Sequence, residues 1–174
     1  ANSTIEYVTI ASTGDSTNFG DLSAGRTSLT GCASTTRGIF AGGTNVIDYI
    51  TIGSTGDATD FGDLDASKAQ LASVASSTRG VFSGGNTDAI SIEYITIANT
   101  GNTTDFGDLD SARNHPFGSC SKTIGVFSGG LLSGSALSTA QQITIASTGN
   151  STSFGTLTAA RYYGDGASNA HGGI

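Results

Sequence analysis

Ile47-Asp48-Tyr49-Ile50-Thr51-Ile52 is the stretch on which the fold turns. In an extended chain Ile47, Tyr49 and Thr51 share one side and Asp48, Ile50 and Ile52 the other. The run is short, β-branched and aromatic, and Gly53 and Gly56 close it, so it reads as a strand. Because apolar groups lie on both sides, that strand is expected to be covered on both faces.

The stretch recurs at Ile5-Glu6-Tyr7-Val8-Thr9-Ile10, at Ile92-Glu93-Tyr94-Ile95-Thr96-Ile97 and at Ala140-Gln141-Gln142-Ile143-Thr144-Ile145, with offsets of 42, 45 and 48 residues. A Ser/Asn-Thr-Gly turn follows each copy at Gly14, Gly56, Gly101 and Gly149, and then Phe-Gly-x-Leu at Phe19, Phe61, Phe106 and Phe154. A third element, Arg37-Gly38-Ile39-Phe40-Ala41-Gly42-Gly43, returns at 79–85 with Gly84-Gly85 and at 124–130 with Gly129-Gly130. A period of this length fits four short strands with turns, the content of one β-propeller blade. A β-solenoid with two coils per repeat is the alternative. Counted from the Ile-x-Tyr strand, the 174 residues form one repeat-built domain with units 5–46, 47–91, 92–139 and an incomplete 140–174.

Composition points the same way. Charged residues make up 12% of the chain against a typical ~25%, while 26 glycines accompany a single proline, as suits an all-β protein with many tight turns. The net charge of −7 argues against nucleic acid and anionic membrane as partners. No apolar run is long enough for a spanning helix. Cys32 and Cys120 are too few for a disulfide framework, lack metal-ligand spacing and read as small hydrophobes.

The order Arg26, Ser-rich strand, Gly-Gly element, Ile-Asp-Tyr strand and Asp60-Phe-Gly-Asp-Leu64 resembles the kelch repeat, with Phe in place of the fourth-strand Trp and Arg26, Lys68, Arg113 and Arg161 at the basic position. The resemblance implies an all-β, kelch-like propeller of four repeats, either whole or part of a larger one. The longer run Ile-Glu-Tyr-Ile-Thr-Ile-Ala-x-Thr-Gly-Asn-x-Thr-Asp-Phe-Gly-Asp-Leu is similar to repeats in structural proteins of tailed phages, notably marine ones. That likeness implies a virion or extracellular appendage component.

Register sets a further expectation. Phe40, Phe82 and Phe127 each lie 21 residues beyond Phe19, Phe61 and Phe106, so a fourth copy falls at position 175. The expectation is a window from a longer array, or a ring whose missing strand comes from another chain.

Chemistry is sought in departures from the repeat. The glycine pairs precede no helix and so read as close strand packing rather than phosphate loops. Asp57, Asp60 and Asp63, with Asp15, Asn18 and Asp21 and with Asn102, Asp105 and Asp108, offer oxygen ligands of the kind calcium takes. The fourth copy, Asn150, Ser153 and Thr156, loses the charge, so turn-forming and edge-protecting roles are favoured and no metal is expected. The four recurrent cations either form a basic ring or pair with acids such as Asp21, Asp63 or Asp108.

Irregular residues gather at His115-Pro116-Phe117, Lys122, Tyr162-Tyr163-Gly164-Asp165 and His171. Tyr162, Tyr163, Asp165, His115, Arg113 and Arg161 are the candidate ligand-binding set, since tyrosines beside Asp and Asn can stack and hydrogen-bond a sugar ring. Packing against the next blade is the alternative. The loop after each glycine pair lengthens from 44–46 through 86–91 to 131–139, where Leu131, Leu132 and Leu137 make it apolar enough for a subunit contact.

No nucleophile elbow, zinc-ligand set or phosphate loop is present, and His115 and His171 are too thin a basis for a copper site. The expected function is therefore non-enzymatic and without cofactor: loops displayed for attachment to a host surface or cell-surface glycan. The alternatives are a self-assembling scaffold whose partners are other copies or subunits, and a secreted lectin with sequons at Asn2, Asn102 and Asn150.

Overall fold

The computed structural model describes residues 1–87 and 89–168. The protein is all-β. Sixteen strands are present among the described residues: β1 (Asn2–Tyr7), β2 (Thr17–Arg26), β3 (Thr30–Ala33), β4 (Arg37–Ala41), β5 (Val46–Thr51), β6 (Thr59–Asp63), β7 (Leu71–Ala75), β8 (Arg79–Gly84), β9 (Ser91–Thr96), β10 (Thr104–Asp108), β11 (Phe117–Cys120), β12 (Ile124–Ser128), β13 (Leu131–Leu132), β14 (Ser135–Ala136), β15 (Thr139–Thr144) and β16 (Thr152–Thr156).

They form three four-stranded antiparallel meanders, β3-β4-β5-β6, β7-β8-β9-β10 and β11-β12-β15-β16, preceded by the hairpin β1-β2. The Ile-x-Tyr stretch is the third strand of each meander, and the Phe-Gly strand is the fourth. Units counted from Ile-x-Tyr thus cut every sheet between its second and third strands. Hydrogen bonding instead starts each sheet a few residues after the recurrent cation. No closed barrel or propeller is formed among the described residues. The lengthened loop after Gly130 is partly ordered as the hairpin β13-β14.

One irregularity repeats in every unit. Between the third and fourth strands the register slips at the phenylalanine: Ile47 faces Gly62 but Asp48 faces Asp60, so Phe61 is the extra residue of a β-bulge. Phe19, Phe106 and Phe154 occupy the same place. The bulge explains the invariant Phe-Gly pair. Gly62, at φ +143, lies so close to the Gly101 turn of the following sheet that a Cβ would sit 2.4 Å from its backbone. Through that gap the Gly101 amide donates to the Phe61 carbonyl at 2.6 Å, and Asn102 accepts the Asp63 amide at 3.0 Å. Gly56 with Phe19 and Gly149 with Phe106 repeat the contact. Turn and bulge signatures, separated in sequence, are therefore two halves of one joint between successive sheets.

Two apolar clusters fill these joints. Ile39, Ile47, Phe61, Phe82, Ile95 and Ile97 close the first meander on the second. Val74, Val81, Ile92, Phe106, Phe127 and Ile145 close the second on the third. The middle sheet is thus covered on both faces, as its strands require. Tyr49 and Tyr94 meet Phe61 and Phe106 edge-on, with ring centres 5.9 and 6.0 Å apart. Arg37 and Arg79 lie over those tyrosines at 4.5 and 4.2 Å and donate across the joint to the carbonyls of Ile97 and Ile145.

Candidate functional site

The recurrent cations do not form a basic ring, because three of the four are inside the protein. Arg26, Lys68 and Arg113 are buried, and only Arg161 is exposed. Their partners are not Asp21, Asp63 and Asp108. Arg26 reaches Asp48 at 2.7 Å, and Lys68 reaches Glu93 at 2.7 Å. These acids belong to the third strand of the following sheet, so each pair ties the end of one sheet to the next. Lys68 also holds Asp65 at 2.7 Å. Burial opposes the charge on Lys68, but its hydrogen bonds to Asp65 and Glu93 and their negative charges prevail and raise its pKa.

At the third joint Gln141 replaces the acid. Arg113 instead donates to the carbonyls of Gly129 and Thr139 and keeps Asp110 at 3.6 Å. Burial lowers its pKa, partly offset by Asp110. Arg113 was expected in the ligand-binding set. Its guanidinium is spent on the protein and does not face solvent.

The candidate calcium ligands Asp57, Asp60 and Asp63 likewise accept hydrogen bonds from the protein. Asp57 accepts the Asp21 amide at 3.0 Å, Asp60 the Gly62 amide at 3.1 Å, and Asp63 the Asn45 side chain at 3.1 Å. The glycine pairs receive the loops that carry the cations: the Gly43 amide donates to Lys68 O and the Gly85 amide to Arg113 O. Cys32 and Cys120 both line an open cleft of about 600 Å3 beside the first strands of the meanders. Burial, followed by the nearness of Cys120, pushes the Cys32 thiol up to about 12.

A feature that sequence reading missed lies two residues after each cation. Ser28, Gln70, His115 and Tyr163 all have left-handed backbones, at φ 58, 68, 51 and 55. The Gln70 amide donates to Ser28 O at 3.0 Å, and the His115 amide to Gln70 O at 3.1 Å. Equivalent residues of successive sheets are thus brought side by side in one row. Its start is small and polar, and its end is aromatic. His115 and Tyr163 have ring centres 3.8 Å apart, and Tyr162 lies 5.0 Å from Tyr163. Tyr162 and Tyr163 are 45% and 70% exposed, so both rings present surface to solvent. Partial burial lowers the pKa of His115, which favours the neutral imidazole.

Asp165 is exposed and accepts the Gly166 amide at 2.8 Å, while the Arg161 side chain donates to Ala159 O at 3.4 Å. Four of the six expected ligand residues, His115, Tyr162, Tyr163 and Asp165, therefore fall on one short stretch of surface or beside it. Gln70 and Ser28 extend the row, and the signal for them was their constant distance from the cation. His171 lies outside the described residues. Compared with known proteins, the chain matches no family model and no curated sequence.

Proposed function

We propose that this chain is a non-enzymatic binding module, an array of kelch-like blades that presents the row ending in His115, Tyr163 and Tyr162 to a saccharide on a host or cell surface. One observation carries the reading: a backbone repeated in every unit places divergent side chains side by side, and the divergence ends in exposed, touching aromatic rings. Tyrosine faces suit the C–H faces of a sugar ring, and the Asp165 carboxylate suits its hydroxyls. The meanders supply the rigid support on which such loops discriminate between ligands. A virion appendage or an extracellular lectin would use the row in the same way.

The test is a broad glycan array read beside a host-cell adhesion assay. Saturable binding, competed by free sugar and lost in Tyr163→Ala, supports the reading. Silence from folded protein in both assays overturns it.

A further inference from the structure

The joints between sheets form an internal template, and among the described residues two faces carry its two halves without a partner. At the third meander, Phe154 is 59% exposed, whereas Phe61 and Phe106 are 2% exposed at the same position. Phe154, Val126, Gln142 and Ile124 line an open cleft of about 730 Å3 on that face. Among the described residues nothing comes near Gly155, although its counterparts Gly62 and Gly107 are pressed against the next turn. Among the described residues Arg161 makes no ion pair.

The hairpin β1-β2 shows the complementary half. Val8 and Ile10 are 59% and 97% exposed, while their counterparts in the second and third meanders, Ile95, Ile97, Ile143 and Ile145, are at most 4% exposed; in the first meander Ile52 is 45% exposed. Nothing described lies near Gly14, the counterpart of Gly101. Glu6 is exposed, although Asp48 and Glu93 at the same strand position are buried on a cation.

We infer that a second copy of this chain docks head to tail. The β1 face and Gly14-Asp15 turn of one copy seat on the β16 face of the other, as each sheet seats on its neighbour. Glu6 then takes Arg161, the Gly14 amide donates to Phe154 O, and Asp15 accepts the Thr156 amide. Ile124 stands where Arg37 and Arg79 stand in the other joints, so this contact exchanges an arginine clamp for apolar contact with Ile10. Opposite charge on an apolar face that is buried elsewhere in the same molecule favours a copy over an unrelated partner. Because the two faces differ, the contact is heterologous and leads to a ring or a filament. This inference is separate from the saccharide reading and is tested without any ligand.

In a Cys32→Ser, Cys120→Ser background, one sample of the full chain carries Asp15→Cys and another Thr156→Cys. Mixed and oxidised, they are expected to give a disulfide-linked dimer of the two different variants in excess over like pairs. Sedimentation of the unmodified chain should show association that Arg161→Glu weakens roughly tenfold or more and that mixing with Glu6→Arg restores. Circular dichroism establishes that each variant is folded. The inference is overturned if the folded chain stays monomeric at high concentration, or if its association ignores both charge reversals. It is also overturned if Asp15→Cys and Thr156→Cys in one chain close only within that chain, since the two faces would then serve each other.

Discussion

Asp48 and Ala58 stand where the other two joints have a carboxylate or amide served by a hydroxyl. Thr103 donates to Glu93 at 2.5 Å, and Ser151 to Gln141 at 2.5 Å, from the position that Ala58 fills with a methyl group. Asp48 Oδ2 is held by Arg26 and Ser23, but its buried Oδ1 has no hydrogen-bond partner among the described residues. Restoring the hydroxyl with Ala58→Thr is expected to stabilise the protein by about 1 kcal/mol. Urea unfolding of the two proteins checks it, and an unchanged or lower midpoint counts against the orphaned oxygen as a weak point.

Lys68 and Glu93 present the opposite case, a pair that is satisfied and buried. Removing only the cation with Lys68→Met leaves Glu93 charged in an apolar joint and is expected to cost about 3–5 kcal/mol. Lys68→Met with Glu93→Leu should recover most of that loss, because no lone charge remains. A double-mutant cycle from urea midpoints measures the coupling. Because the folded pKa of Lys68 is raised, its contribution is complete below the unfolded value of 10.5 and is lost as pH rises through the folded one. The alkaline limb of a stability profile should therefore shift in Lys68→Met.

Gly62 and Gly53 separate close approach from mere turn composition. A Cβ on Gly62 meets the Gly101 backbone at a strained φ, whereas nothing lies within 4 Å of one on Gly53. Gly62→Ala is expected to cost about 2 kcal/mol or more, as overpacking does, and Gly53→Ala well under 1 kcal/mol. Thermal denaturation of both variants decides it.

His115 should titrate below its ordinary value of 6.5, since partial burial beside Tyr163 disfavours the imidazolium. With the folded pKa lowered, the contribution of His115 to stability is present above the unfolded value and declines as pH falls through the folded one. Following the imidazole protons by NMR gives the pKa directly. Tyr163→Ala should bring it back toward 6.5.

Much of this architecture was legible because strand pairing follows local pattern. The Ile-x-Tyr stretches lie in strands β1, β5 and β9 and their Ala140-Gln141-Gln142 copy in β15, and the Gly-Gly element closes the second strand of each meander. The counter-ions were not legible. Arg26 has Asp21 five residues before it and Asp48 22 residues after it, both repeated in phase, so the period alone cannot say which is the partner. The bulge was hidden for a related reason: Phe-Gly reads as an ordinary strand position until the register of its neighbour is known. Of the candidate site, the tyrosines and His115 stood out as exceptions to the repeat. Gln70 and Ser28 did not, because residue type does not mark a left-handed backbone there and only their constant distance from the cation points to them.

Because buried Arg26 and Lys68 are neutralised by a strand of the next sheet, no single meander owns the charges it encloses. The first meander cut out alone, from β3 to just after β6, would keep Asp48 but lose Arg26, and would present Phe61 and Leu64 to water. Folding of such an array is dominated by nearest-neighbour coupling rather than by the intrinsic stability of one unit. The interior should therefore melt as a block, with loss of structure spreading inward from the two termini, and hydrogen exchange slowest in the middle meander.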